Sequence, residues 1–367
     1  MSNALFISDD KQNVSIGDPV YVQNKDDGYY AIGKASMDMA KYREERGAEY
    51  KWNIYVSEDQ ARKYKDSLNI KNKTLMEITN FSHTGNIGDV WASIPSMRQH
   101  FLNTGKKVDL YLYSGIPAFY YEGAVHPTKD EAGKNCMLNQ KMIDMMIPLL
   151  KAQSFINEVH SVDYSEYEAY KDKIQVPLEW FRENQIGLPN FSINRWYFYI
   201  FPDLTCDLSG VWLEVPEPEK DIATGKIVIT RSERYTNPTI DYSFLKPYED
   251  DLLFCGTMRE YNNLCMSFDL NIRKLNINNF LELAQAIKQC KMHISNQTQA
   301  YQLSEGQKRP RILEVCSYAA NVIPIGANAY DFHHQLGLEY AFHKLNGTTE
   351  VFFEQVKKEQ ETKKAAL

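Results

Sequence analysis

Phe81-Ser82-His83-Thr84-Gly85-Asn86-Ile87-Gly88-Asp89-Val90-Trp91 decides how this chain of 367 residues is read. Leu75 to Phe81 reads as a short strand leading into the turn. Beyond the turn, Val90, Ile94, Met97 and Phe101 recur at helical spacing and stop at Asn103-Thr104-Gly105. Val108-Asp109-Leu110-Tyr111-Leu112-Tyr113 then reads as a second strand. Strand, glycine-rich turn, helix and strand make the opening unit of a parallel α/β sheet. Gly85 and Gly88 allow a tight turn and close approach of another group to the backbone. Asp89 stands where a carboxylate either caps the helix or faces the crevice at the carboxyl ends of the strands.

Composition bounds what such a sheet can serve. An apolar share of 43% and an aromatic share of 13% are enough to fill real cores, which argues against global disorder. The net charge of -7 and the absence of basic stripes argue against a long non-specific nucleic-acid footprint, though not against a local basic groove. The six cysteines, Cys136, Cys206, Cys255, Cys265, Cys290 and Cys316, show no CxxC spacing and read as free thiols of a reducing compartment. No HExxH stands in the sequence, so no metal site is expected. The amino terminus lacks a basic segment followed by an apolar run, and no apolar stretch is long enough to span a bilayer. A cytoplasmic protein without a membrane span is the expectation.

Outward from the opening unit, four regions separate. Residues 1–70 read as an accessory α+β segment, with small strands at Ser15–Val22 and Tyr29–Gly33, a turn at Asp26–Gly28, a helix at Ala35–Arg46 and a strand at Tyr50–Val56. Residues 71–215 read as a first Rossmann-like domain. It includes an aromatic loop at Phe119-Tyr120-Tyr121 and an apolar helical face over 138–156 broken near Pro148. A strand at Phe155–His160 follows, turning at Ser161–Asp163, and then an aromatic, polar stretch from Trp180-Phe181-Arg182 to Arg195-Trp196-Tyr197. Val215-Pro216-Glu217-Pro218 reads as a linker. Residues 222–345 read as a second Rossmann-like domain, with strands at Lys226–Thr230, Asp251–Thr257, Ile272–Leu275, Lys291–Ile294, Arg311–Cys316 and Asn321–Gly326. Residues 346–367 read as a helical tail.

Two such domains bound a cleft at their strand ends, where a ligand of mixed polarity is expected. Gly85-Asn86-Ile87-Gly88 is neither GxGxxG nor a P-loop, because no third glycine and no Gly-Lys pair follow. A carboxylate at Asp89 also repels phosphate. The turn therefore suits an acceptor better than a phosphorylated donor.

Thr84-Gly85-Asn86-Ile87-Gly88-Asp89-Val90, with Ala92-Ser93-Ile94-Pro95-Ser96-Met97 after it, resembles the opening of the ADP-heptose heptosyltransferase-like glycosyltransferases. That resemblance implies a GT-B fold of two facing Rossmann-like domains. It implies a proton-abstracting role for Asp89; beside that residue His83 and Asn86, and further along Arg195 next to Trp196, are the expected acceptor contacts. For a nucleotide-sugar donor it implies Arg231 and Arg234 at the end of the second domain's first strand. It adds Ser295, Asn296, Gln297 and Thr298 at a strand-to-helix turn, and the end of the neighbouring strand, Gly256 and Thr257, is expected to meet the nucleoside. Arginine suits diphosphate because a guanidinium can bind phosphate oxygens in pairs, and a helix start presents free N–H groups to an anion.

The expected function is inverting transfer of a sugar from a nucleoside diphosphate to a hydroxyl acceptor. The acceptor is a glycan, a lipid-linked glycan or a hydroxylated nucleobase in DNA. No metal and no cofactor beyond the nucleotide-sugar co-substrate are expected. The alternative is a non-catalytic protein of the same fold that binds a sugar nucleotide or glycan.

Overall fold

The computed structural model describes residues 19–23, 30–34, 75–118, 128–180, 192–201, 204–316 and 319–365. The expected turn at Asp26–Gly28, helix at Ala35–Arg46, strand at Tyr50–Val56, aromatic loop at Phe119–Tyr121, and Phe181 and Arg182 lie outside them. Strands β1 (Pro19–Gln23) and β2 (Tyr30–Lys34) pair antiparallel as a hairpin.

The first sheet grows from the glycine turn. Strand β3 (Asn80–His83) starts later than the sequence suggested, because Leu75–Glu77 winds into a 3-10 turn. Helix α1 (Ile87–Thr104) follows and stops at Gly105, whose φ of 69° is a conformation that glycine adopts without a Cβ penalty. Its buried side, with Val90, Trp91, Ile94 and Met97, lies against the sheet and the neighbouring helices. Strand β4 (Val108–Ser114) leads to helix α2 (Gln140–Lys151) and strand β5 (Ile156–Asp163). Two expectations are corrected here. Helix α2 runs through Pro148, and Ser161–Asp163 continues the strand by pairing with Leu112–Ser114. A short helix α3 (Tyr167–Tyr170), strand β6 (Val176–Pro177) and helix α4 (Ile193–Tyr199) complete this half. All four strands are parallel, in the order β5-β4-β3-β6.

The second sheet has six parallel strands. Strands β7 (Ile227–Thr230) and β8 (Leu252–Phe254) are followed by helix α5 (Met258–Phe268) and strand β9 (Arg273–Lys274). Helix α6 (Phe280–Gln289), strand β10 (Met292–Asn296) and helix α7 (Gln299–Gln307) come next. Strands β11 (Arg311–Glu314) and β12 (Ala329–Phe332) close it, in the order β12-β11-β10-β7-β8-β9. The last strand falls at Ala329–Phe332, not at Asn321–Gly326. Helices α8 (Gln335–Asn346) and α9 (Thr349–Ala365) end the described chain. Strands β7 and β10 are buried along their whole length, as expected of a parallel sheet covered on both faces.

The two halves face each other and pack directly. One apolar cluster runs through both, joining Phe81, Trp91, Leu110 and Trp196 to Phe280, Leu283, Ile287 and Leu303. The Trp91 and Phe280 rings meet edge to face at 5.9 Å. Gly306 allows the segment from Trp212 to Leu213 to lie on helix α7, and its carbonyl accepts from both of their N–H groups at 2.9 and 3.1 Å. Among the described residues, no helix is long and apolar enough to cross a membrane.

Candidate active site

A cleft of about 290 Å³ opens between the carboxyl ends of the two sheets. On the first side it is lined by Asn86, Ile87, Gly88 and Asp89. On the second it is lined by Ser232, Arg234, Tyr235, Gly256, Glu260 and Gln297 to Gln299. Helices α1 and α7 pack against each other there, bridged by the Asn194 amide, which donates to the Ala92 carbonyl at 3.1 Å and to Gln302 Oε1 at 3.0 Å. A β-carbon on Gly88 would lie 3.8 Å from the Gln299 α-carbon, so the first turns of both helices are neighbours. The α7 N-terminus brings a positive dipole end to the cleft, which favours an anionic ligand, while the α1 N-terminus carries the Asp89 carboxylate.

Asp89 sits at the third position of α1, half-buried, and its Oδ2 accepts from the Asn86 N–H at 3.3 Å. This is half of a capping box, and Asp89 also lines the cleft. The cap expected from the sequence is present, and the residue that makes it stands at the cleft.

The turn beneath Asp89 is pinned by a residue that sequence reasoning missed. Glu179 Oε1 accepts the N–H groups of Thr84 and, at 3.0 Å, of Gly85, and lies 2.7 Å from His83 Nδ1. The Gly85 N–H also reaches His83 Nδ1 at 3.0 Å, and the Tyr197 hydroxyl lies 3.0 Å from Nε2 on the other side of the ring. Burial pushes the Glu179 carboxyl upward, yet the His83 ring and the Thr84 N–H outweigh it and hold Glu179 below the usual range. His83 is fully buried under the turn and does not line the cleft. Arg195 is exposed on α4 and does not line it either. Of the three expected acceptor contacts, only Asn86 reaches the cleft.

The donor candidates divide more sharply. Arg234 lines the cleft with its guanidinium 5.7 Å from the Tyr235 ring centre. Arg231 does not line it. Its Nε and terminal nitrogen bind both oxygens of the fully buried Glu314 at 2.7 and 2.9 Å, and its plane lies over Tyr242. Tyr242 donates its hydroxyl to the same carboxylate at 2.8 Å. Ser295 and Asn296 belong to strand β10 and are buried, so they are not part of a turn that presents amides. Asn296 instead shapes the loop that carries Arg234: its amide donates to the carbonyls of Ser232 at 3.0 Å and Arg234 at 2.6 Å, and its oxygen accepts from the Ser232 N–H at 3.1 Å. Gln297 and Thr298 do line the cleft, and Gln297 is braced by the Cys316 N–H at 2.6 Å and the Ala319 carbonyl. Gly256 lines the cleft, whereas Thr257 caps α5 by accepting from the Glu260 N–H at 3.2 Å.

Other groups in the cleft carried no sequence signal. Gln299 Oε1 is buried there without a hydrogen-bond partner. Tyr235 holds a φ of 55°, a strained conformation for a tyrosine that tends to persist where function requires it. Among the described residues, no group of three or more His, Cys, Asp or Glu side chains is placed to hold a metal ion.

The sheet order and the facing carboxyl edges define two Rossmann-like domains in a GT-B-like arrangement. No family model and no curated protein sequence matches the chain. Among solved structures, the chain is similar to a glycosyl transferase family 9 protein from Veillonella parvula, with 10% identity and a TM-score of 0.49 over 75% of this chain and 90% of that one. It is also similar to E. coli ADP-heptose LPS heptosyltransferase II, with 12% identity and a TM-score of 0.49 over 76% of this chain and 99% of that one. E. coli heptosyltransferase WaaC with ADP-2-deoxy-2-fluoro heptose gives 11% identity and a TM-score of 0.46 over 76% and 99%. Likeness at this distance carries no functional weight, so function has to be read from the cleft.

Proposed function

We propose that the protein is a metal-independent inverting glycosyltransferase that moves a sugar from a nucleoside diphosphate to a hydroxyl acceptor. The observation that carries this reading is the cleft itself, with a carboxylate on the wall of the first sheet and an arginine beside a helix N-terminus on the wall of the second. In the reaction, Asp89 takes the proton of the acceptor hydroxyl. The freed oxygen attacks the anomeric carbon from the face opposite the leaving group. The bond from that carbon to the β-phosphate oxygen breaks, and the nucleoside diphosphate departs with the electron pair. Arg234 and the N–H groups at the start of α7 meet the charge that develops on it. Inversion follows from a single displacement.

Residues 71–215 serve the acceptor and residues 222–345 the donor in this scheme. The four buried free thiols, Cys136, Cys255, Cys290 and Cys316, support a reducing, cytoplasmic setting. Calorimetric titration with ADP, UDP and GDP tests the donor side, and a nucleotide-sugar screen against glycan, lipid-linked glycan and hydroxymethylated DNA acceptors, read by mass spectrometry, tests transfer. An Asp89→Asn protein that folds, binds nucleotide and still transfers at the full rate would remove Asp89 as the base. Nucleotide or glycan binding with no turnover on any donor leaves a binding protein, in which the Asn86–Asp89 cap is the whole role of that carboxylate.

A further inference from the structure

Two buried polar atoms at the carboxyl edge of the first sheet have no hydrogen-bond partner in the protein: the Tyr113 hydroxyl and Glu179 Oε2. Tyr113 follows Leu112, which pairs with His83. Glu179 follows Leu178, whose N–H extends the ladder to the Ser82 carbonyl at 2.9 Å. The two residues therefore stand at one level on either side of β3, flanking the Thr84-Gly85 turn that carries Asp89. Glu179 Oε1 is consumed by that turn and by His83, and Oε2 is left over. The Glu179 side chain keeps 15% of its surface, although Oε2 itself is buried.

Burial, the neighbouring tyrosines and the Glu179 charge push the Tyr113 phenol to about 12, so it remains a hydrogen-bond donor at every physiological pH. Glu179, held ionised by its partners, is an acceptor only. A fixed donor and a fixed acceptor thus stand close enough for the Glu179 charge to act on the phenol, without bonding to each other. Each unmet buried group costs roughly 1–3 kcal/mol, which favours whatever satisfies both.

The chemistry narrows what that is. A phosphate or carboxylate accepts from the phenol but is repelled by Glu179. An ammonium pairs with Glu179 but cannot accept from Tyr113. A neutral hydroxyl, of an alcohol or of water, does both at once. The surroundings suit a sugar ring: Tyr113 packs 5.4 Å from the half-buried Tyr167, which lies 5.8 Å from the exposed Tyr164. Aromatic faces with a few fixed polar groups are the usual lining of a small-molecule subsite.

We propose that Tyr113 and Glu179 Oε2 form a subsite for neutral saccharide hydroxyls, and that it holds the acceptor beside the Asp89 turn. The acceptor role rests on the transfer reading above, while saccharide binding can be measured without it.

The test is saturation-transfer NMR and titration of the intact protein with the methyl glycosides of glucose, galactose and mannose and with maltose. Wild type is compared with Tyr113→Phe and Glu179→Gln. At least one saccharide is expected to bind, and both variants are expected to weaken it by about tenfold. Tyr113→Phe is expected not to lower the melting temperature of the protein alone, because it deletes a hydroxyl with no protein partner. Three results would each overturn the subsite: no saccharide in the panel binds, Tyr113→Phe binds as wild type does, or Tyr113→Phe melts early without ligand, as a structural water on the phenol would cause. Binding of ADP, UDP or GDP, measured on the same samples, reports separately on the transferase reading.

Discussion

A β-carbon placed on Gly85 would lie 2.9 Å from Asp89 Oδ2, and no real β-carbon sits that close to an oxygen. The same point is 2.9 Å from His83 Cε1, so the glycine is wedged between the cleft carboxylate and the buried imidazole beneath it. Gly85 is thus required by close approach, since the space a methyl group needs is already taken by Asp89 and His83.

Gly85→Ala is therefore expected to displace Asp89. The cost should be on the order of 1–3 kcal/mol, as for other overpacked sites. Chemical denaturation of Gly85→Ala, Asp89→Ala and the double variant checks this. The double variant should be more stable than the sum of the two single losses implies, by at least about 0.5 kcal/mol. Simple additivity would mean that the two residues do not compete for the same space.

The two arginines of the Arg231–Arg234 turn are expected to fail differently. Arg231→Ala leaves Glu314 charged, fully buried and stripped of its guanidinium, which typically costs about 3–5 kcal/mol. Arg234→Ala removes a side chain that lines the cleft, so the fold should hold while nucleotide affinity falls by about tenfold. Thermal melts paired with ADP, UDP and GDP titrations separate the two. A stable Arg231→Ala protein with weakened nucleotide binding would reverse the assignment.

These arginines also show what a linear sequence conceals. The strand before them, Ile227–Thr230, is an unbroken β-branched run and is legible at once, as is the helix that ends at Gly105. Which arginine faces the cleft depends on Glu314, 83 positions further on, and no local period encodes that pairing. Glu179 was missed for the same reason, since it meets Gly85 across 94 positions. Pro148 misled because proline usually breaks a helix. Here it sits in the last turn of α2, where the missing N–H would have met the carbonyl of the exposed Asp144. Ser295 and Asn296 misled because polar residues suggest a turn, whereas pairing with Leu313 and Glu314 draws them into β10. Local pattern thus set the elements and the first turn of the cleft, and tertiary contacts decided which polar side chains line it.

Gly306→Ala is expected to loosen the contact between the two halves. Its β-carbon would meet Leu213 Cβ at 2.6 Å and the Trp212 ring at 2.7 Å, and the Gly306 carbonyl holds both backbone N–H groups of that segment. A loss of roughly 1–3 kcal/mol is expected. The fluorescence of Trp212, which is 2% exposed, should shift to the red as it meets water. Unchanged emission together with unchanged stability would show that the linker segment moves aside freely.

His293 supplies a pH test of the second sheet. It is fully buried between the Thr230 hydroxyl, 2.8 Å from Nε2, and the Ser304 hydroxyl, 2.9 Å from Nδ1. Burial, reinforced by the Arg311 charge, lowers it from 6.5 to about 3. With the folded value below the unfolded one, the unfolded chain binds the extra proton between these limits. The stability due to neutral His293 is therefore complete above pH 6.5 and is lost as pH falls towards 3. Each pH unit in that window costs roughly 1.4 kcal/mol. Denaturation from pH 7 to about pH 4.5, where other groups also titrate, is best read as a difference from His293→Gln. The variant should be less stable at pH 7, with a shallower fall on acidification. Parallel curves for the two proteins would show that His293 keeps an ordinary proton affinity inside the fold.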